Sequence, residues 1–340
     1  MINWFPDTNL KPYNTFGIKV RSAGLALARN PEDVIAILEH INRTQRKLLI
    51  LGGGSNVLLT QDWPGVVLLN RLEGYNIVDE SHEQVIVKVN SGEDWHKLVM
   101  WSVNHGLYGI ENLALIYGSV GAGPMQNIGA YGVELKDVFV ELEAIHLKNG
   151  NLKQFKLTDC EFSYRSSVFK NSEKDNWFIM SVTLKLSKIP RLVLDYGQIR
   201  EELNKRKIET PTSKDIAKIV MDIRRSKLPE PAVLGNAGSF FKNPEVSENK
   251  AFDLKSHFPE MPMYDSEKIG FKKLAAGWLI ESCGLKGFKR GSCGVHDKQA
   301  LVLVNFGGAS GKEILSLAHF VQEQVYKKFD IALEPEVNIL

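Results

Sequence analysis

Residues Gly118 to Gly132 hold five glycines and two alanines in fifteen positions. Such a run leaves few side chains to pack, and glycine loses more backbone freedom on folding than any other residue. Density of this kind implies close approach of a large ligand to the backbone. A flexible linker would be polar, whereas this stretch carries Val120, Met125, Ile128 and Tyr131. The fold must therefore present residues 118–132 as a ligand-facing loop.

A second glycine-rich loop, Gly52-Gly53-Gly54-Ser55-Asn56, follows directly on the apolar run Leu48 to Leu51. A strand ending in glycines presents backbone N–H groups to a phosphate. The dinucleotide fingerprint Gly-x-Gly-x-x-Gly is not met, because Val57 stands at the third glycine, so a Rossmann domain is disfavoured. Gly307 to Glu313 imitates a P-loop and fails twice, with Phe306 at the first glycine and Glu313 in place of the magnesium-binding Ser/Thr. Ser310 and Glu313 read better as a capping box for the helix carrying Ile314, Leu317, Ala318, Val321 and Val325.

Gly235 to Pro244 contains a lone hydroxyl, Ser239, between two glycines with an alanine and the pair Phe240-Phe241. A nucleophile elbow needs Gly-x-Ser-x-Gly, and Phe241 occupies the last position. A tight turn entering a buried aromatic pair accounts for these residue types equally well. Arg165, among the hydroxyls of Ser163, Ser166 and Ser167, is a candidate clamp for a carboxylate. Arg224, Arg225 and Lys227 close a helix, either complementing its dipole or forming a phosphate site beside the Ser239 loop. Glu336 stands amid apolar residues near the C-terminus.

Local patterns give an α+β chain with short strands. Asn30 caps a helix with Val34, Ile35, Leu38 and Ile41 at helical spacing. Val66 to Leu69, the alternating Val85, Val87 and Val89, residues 138–146 and residues 178–186 read as strands. Ser91 to Asp94 opens a helix that ends near Asn104, and His96 and His105 read as surface residues of it. A boundary falls near 188–212, with a turn at 194–197, after which Thr212 or Ser213 caps a helix facing inward through Ile216, Ile219, Val220 and Ile223.

With 340 residues there is room for two or three domains, and a net charge of +2 argues against a dedicated nucleic-acid binder. The three cysteines have no metal-ligand spacing and read as reduced thiols. No secretory signal pattern opens the chain, and no apolar run approaches the ~20 residues of a membrane helix. A cytoplasmic protein without membrane insertion or a bound metal is expected.

Six pieces together resemble the UDP-N-acetylenolpyruvoylglucosamine reductase family, and occur in its order: Asn14 to Gly17, Gly54 to Leu58, Gln126 to Gly132, Tyr164 to Lys170, Gly235 to Pro244, and Leu333 to Val337. The resemblance, to the family's longer type with a tyrosine loop around Tyr196, implies a two-lobed FAD-binding module of the vanillyl-alcohol-oxidase (PCMH) type plus a separate α+β substrate domain. The implied bounds are 1–70 and 71–205 for the lobes, 206–328 for the substrate domain, and 329–340 for a terminal strand. It implies non-covalent FAD, NADPH as co-substrate, UDP-N-acetylglucosamine enolpyruvate as substrate, and a monomer. Arg165 would bind the substrate carboxylate, Ser239 would protonate a carbanion, and Glu336 would stabilise the enolic intermediate, best when apolar burial keeps it protonated. Gly53, Gly54, Ser55 and Asn56 would hold the FAD pyrophosphate. Gly121, Ala122, Gln126, Gly129 and Ala130 would line the flavin. Tyr196, Lys227, Asn243 and Gln299 would hold the UDP group, and the glycines before Ser239 would leave room for it.

Two positions depart from the family pattern. Tyr117 precedes Gly118 where proline is usual, and Asn338 stands where an arginine is common. A related flavin oxidase would account for both glycine loops but not for Arg165, Ser239 and Glu336 together. A nucleotide-binding regulatory protein would need no proton donor.

Overall fold

The computed structural model describes residues 3–196 and 198–340. Met1, Ile2 and Gly197, the last residue of the expected 194–197 turn, lie outside the described residues. The chain divides into two compact units. The first holds residues 1–8, 22–53 and 63–225, and the second holds 9–21, 54–62 and 226–340.

In the first unit a four-stranded sheet runs in the order Asn3–Asn9, Arg21–Ala28, Trp63–Asn70, Leu48–Leu51. The last three pair in parallel. Pro31–Thr44 is the crossover helix, and the Asn30 side chain accepts the Asp33 N–H at its start. Val34, Ile37, Leu38 and Ile41 form its buried face, whereas Ile35 points outward. The burial follows the i, i+3, i+4, i+7 rule, which Ile35 does not satisfy.

A five-stranded antiparallel sheet follows, ordered Leu152–Lys156, Phe139–His146, Trp177–Ser187, Gln84–Asn90, Tyr75–Glu80. Helices Trp95–Asn104, Ile199–Lys205 and Ser213–Lys227 cover its apolar face in one core. Thr212, not Ser213, begins the last of these, exchanging hydrogen bonds with Asp215. The two outer strands escape the pattern-based reading for a physical reason. Every residue of Tyr75–Glu80 is exposed, and Phe155 alone is buried in Leu152–Lys156, so neither strand alternates.

The second unit is assembled from three distant segments. Val57–Leu58 pairs in parallel with Asn338–Ile339, and the Leu340 carbonyl accepts from the Thr60 N–H and hydroxyl. Helix Gly311–Phe329 has the Ser310/Glu313 capping box and buries all five expected apolar residues. Its first residue must be glycine, because a Cβ there would lie 1.9 Å from the Leu59 carbonyl oxygen. Two small sheets complete the unit, one of Glu245–Ser247, Phe271–Leu274 and Met263–Asp265, the other of Lys289–Arg290, Cys293–Val295 and Leu303–Asn305.

The Asn14 to Gly17 piece has a structural role here. Buried Asn14 donates to the carbonyls of Leu10 and Ile18 and accepts the Ile18 N–H, which closes the 10–18 loop. Asn14→Ala strands those groups and should lower stability by about 3 kcal/mol; an unchanged denaturant midpoint would contradict this role.

Candidate active site

The strand Leu48–Leu51 delivers Gly52 and Gly53 against the 118–132 loop. A Cβ on Gly52 would meet the Ser119 hydroxyl at 2.0 Å, and one on Gly53 would meet the Gly118 Cα at 3.0 Å. Gly121 is equally confined, its Cβ position lying 2.5 Å from that of Ser91. These glycines therefore let two loops of the protein touch, a need that precedes any ligand. The exposed Gly53 N–H makes no hydrogen bond among the described residues, so it can donate to an anion. That geometry fits a dinucleotide pyrophosphate at the end of a strand. Gly54, in the second unit, takes φ +62 and abuts the Tyr13 carbonyl, and its own carbonyl accepts the Thr15 N–H. Ser55 and Asn56 follow it, and the Asn56 amide donates to the Glu336 carbonyl.

Two of the recognised pieces bind one another within the first unit. The Ser167 hydroxyl donates to the Met125 carbonyl at 2.8 Å, Lys170 reaches the Gln126 side chain at 3.4 Å, and Asn127 donates to the Ser163 carbonyl at 3.3 Å. Arg165 completes the set by donating from Nη2 to the Gly129 carbonyl at 2.7 Å. Tyr164 and Arg165 form the turn between the mutually bonded Ser163 and Ser166, and Arg165 is held there at φ +53. Gly129–Ala130 pairs with Val133–Glu134 across a two-residue turn, Tyr131 and Gly132, both at positive φ. Ala122 lies in the short helical turn Val120–Ala122.

Tyr196 comes to the same loop, edge-on to Tyr131 with ring centroids 6.2 Å apart. The buried Asn112 amide donates to the carbonyls of both Tyr131 and Val193, which ties the two loops together. Arg224 is not a solvated end-of-helix cation, since its Nε donates to the Leu115 carbonyl. Burial holds its pKa below the ordinary arginine value, and the like charge of Arg165 acts in the same direction against the nearby phenols of Tyr131 and Tyr117. This part of the unit thus concentrates positive charge suited to a carboxylate or phosphate.

In the second unit Ser239 lies on a central extended segment. Gly235 bridges Asn305 and Ser239 bridges Val302 on one side, and Phe241 bridges Pro335 on the other. The Glu336 N–H donates to the Phe240 carbonyl at 2.8 Å, which pairs the segment carrying Glu336 with the segment carrying Ser239. Phe240 and Phe241 are buried, in edge contact with each other, and Phe16 packs on Phe240. Gly235 is needed for protein packing, since a Cβ would lie 2.4 Å from the Phe16 carbonyl oxygen, whereas Gly238 takes φ +70 with open space beside it. Glu336 is half-buried, not enclosed in apolar surroundings.

Asn243 and Gln299 converge on helix Ala276–Ser282. Asn243 accepts the Ala276 N–H, and the Gln299 side chain lies 2.8 Å from the Cβ position of Gly277. Lys227 ends helix Ser213–Lys227 and is half-buried. Asn338, where an arginine is common, pairs with Val57 and donates its side-chain amide to the Asn56 carbonyl. Tyr117 is partly exposed.

The profile of the FAD binding domain matches residues 22–156, and that of the UDP-N-acetylenolpyruvoylglucosamine reductase C-terminal domain matches 230–340. A UDP-N-acetylenolpyruvoylglucosamine reductase of Pseudomonas aeruginosa is 50% identical over 331 residues, 97% of each chain. That of Chromobacterium violaceum is 47% identical over 335 residues, 98% of each. The chain belongs to the UDP-N-acetylenolpyruvoylglucosamine reductase family. A crystal structure of the reductase from Thermus caldophilus shares the fold, with a TM-score of 0.67 at 23% identity over 100% of this chain and 98% of that one. The fold is α+β, an FAD-binding module of the PCMH type with a family-specific C-terminal domain, and the protein is an FAD-dependent oxidoreductase. No helix among the described residues is long and apolar enough to cross a membrane.

Asn112 and Asn305 escaped the residue-by-residue reading because a buried asparagine leaves no local pattern. Asn305 donates to the Phe16 carbonyl and accepts the N–H groups of Gly307 and Ala309, which explains the false P-loop. Asn127 was legible only within the Gln126 to Gly132 piece. Fully buried at φ +46, it joins Glu134, Lys136 and Ser163. Asn127→Ala should weaken FAD binding by about tenfold or more, given three lost hydrogen bonds and a left-handed backbone that asparagine tolerates best. An FAD titration giving the wild-type dissociation constant would contradict that role.

Proposed function

We propose that the protein catalyses the NADPH-dependent reduction of the enolpyruvyl ether of UDP-N-acetylglucosamine enolpyruvate to UDP-N-acetylmuramate, a step of peptidoglycan precursor synthesis. The observation that carries this reading is the strand pairing of the segment bearing Ser239 with the segment bearing Glu336, in a chain 50% identical over 97% of its length to a reductase of that name. FAD, when bound, supplies a hydride acceptor for NADPH and a hydride donor for the methylene carbon of the substrate.

The chain's own residues handle the charge and the proton. Hydride addition to the methylene carbon moves the alkene electron pair onto the carbon beside the carboxylate. Arg165 pairs with that carboxylate in a fork geometry. Its Nη2 bond to the Gly129 carbonyl orients the guanidinium before substrate arrives. Glu336 stabilises the enolic form, and Ser239 delivers the proton to the carbanion carbon, which completes a lactyl ether. A serine without a histidine partner can serve here because it acts as an acid and not as a nucleophile.

Tyr196, Lys227, Asn243 and Gln299 hold the UDP group, Lys227 as a point charge on the diphosphate. Gly53 to Asn56 hold the FAD pyrophosphate, and Gly121, Ala122, Gln126, Gly129 and Ala130 line the flavin. Residues 206–328 serve as the sugar-nucleotide domain. We read the protein as cytoplasmic, since its proposed substrates are soluble intracellular nucleotides, and as a monomer from the family resemblance. NADPH and the sugar nucleotide use one route in turn, as the sequence holds no dinucleotide fingerprint to bind NADPH separately.

The FAD-loaded protein should oxidise NADPH rapidly only when UDP-N-acetylglucosamine enolpyruvate is present, with parallel initial-rate lines as the second substrate is varied. Absence of stimulation would overturn the proposed reaction, and intersecting lines would overturn the shared route alone.

A further inference from the structure

The start of helix Trp95–Asn104 grips the segment that leads into the 118–132 loop. The Trp95 indole N–H donates to the Leu113 carbonyl at 3.1 Å, and the Trp95 backbone N–H donates to the Gly118 carbonyl at 3.0 Å. Val120 donates to the Glu93 carbonyl and Gly121 to that of Ser91. Between these anchors stands Leu115 at φ +60, a conformation that costs a bulky residue strain and persists only when its surroundings enforce it. Both of its backbone polar groups are held: its N–H donates to His96 Nδ1 at 3.0 Å, and its carbonyl accepts from Arg224 Nε at 3.2 Å. His96 is thus no plain surface residue of its helix.

We propose that His96 is a titrating positioning residue, whose unprotonated Nδ1 pins Leu115 in its left-handed conformation and so sets Gly118 and Ser119 against Gly52 and Gly53. The bond requires Nδ1 as acceptor, and so requires the neutral ring with its proton on Nε2. Protonation converts Nδ1 to a donor facing a donor. The charged groups around the ring are Asp94 on its own helix start and Arg225 and Arg224 on helix Ser213–Lys227. Burial is the largest influence and holds the His96 pKa below the ordinary histidine value; Asp94 pulls it up, and both arginines push it down. With the folded value depressed, the bond survives as pH drops past the ordinary histidine value and fails as pH falls through the lower folded one. The stability it contributes declines across the same interval and is complete above it. The link from Leu115 to cofactor binding rests on these loops being the flavin site.

Two substitutions separate the acceptor from the titration. His96→Leu removes the acceptor, and His96→Asn keeps an acceptor oxygen near the Nδ1 position without a titrating ring. FAD dissociation constants of the full chain freed of flavin would be measured from about pH 5 to about pH 8. Wild-type binding should weaken about five- to tenfold at the acid end, the equivalent of one hydrogen bond. His96→Leu should show that weaker binding at every pH, and His96→Asn should stay tight throughout. Wild-type affinity in His96→Leu, or the same acid loss in His96→Asn, would overturn the link from clamp to cofactor. Hydrogen exchange at the Leu115 amide supplies a readout independent of flavin and should be about tenfold faster in His96→Leu. Faster exchange with unchanged FAD affinity would sink the flavin-loop reading and leave the clamp standing; unchanged exchange would sink the clamp itself.

Discussion

The hydrogen bond from Arg165 to the Gly129 carbonyl, with its three companions between residues 125–127 and 163–170, is the constraint that fixes the glycine-rich loop of the first unit. A loop with so many glycines has little side-chain packing to define it beyond Val120, Ile128 and Tyr131. Polar groups from a neighbouring turn complete its definition. The cost appears in the backbone, where Asn127, Tyr131 and Arg165 all take positive φ without being glycine. Strain of this kind survives only where several contacts agree, and it gathers at sites that must be rigid before a ligand arrives. A guanidinium so fixed loses little further freedom on meeting a carboxylate.

The second unit answers the same need by pairing extended segments. Ser239 is carried on a segment bridged on both sides, with buried Phe240 and Phe241 as its anchor. Its position is therefore set by backbone pairing, and among the described residues its hydroxyl makes no hydrogen bond. Gly235 and Gly238, alike in sequence, do different things: one admits the Phe16 carbonyl, the other turns the chain. The glycines at 52, 53 and 121 follow the first pattern, and close approach of protein to protein explains them before any cofactor does.

Much of this was legible in the residues alone. Helices were readable where a cap met a periodic face, as at Asn30, Ser310 and residues 212–223, and strands where one face was buried, as at Val85, Val87 and Val89. Tyr75–Glu80 was not, since an edge strand with every residue exposed has no apolar alternation. Nor was the membership of residues 9–21 and 54–62 in the second unit, which depends on pairing across some 280 positions, as between Val57 and Asn338. The recognised pieces pointed to function as a set, whereas the asparagines and His96 that hold them act through contacts without local spacing. The segments of Ser239 and Glu336, nearly a hundred residues apart, are joined by pairing that includes the Glu336 N–H on the Phe240 carbonyl.

The claim that Ser239 acts as an acid, and does nothing for the flavin, is open to one direct measurement. Under anaerobic single-turnover conditions, Ser239→Ala should be reduced by NADPH at close to the wild-type rate. Reoxidation of the reduced protein by UDP-N-acetylglucosamine enolpyruvate should then slow by about a thousandfold, within the range assigned to a positioned proton donor. Reoxidation at the wild-type rate would contradict the account outright. Equal loss of both half-reactions would show that the hydroxyl serves structure and not the proton.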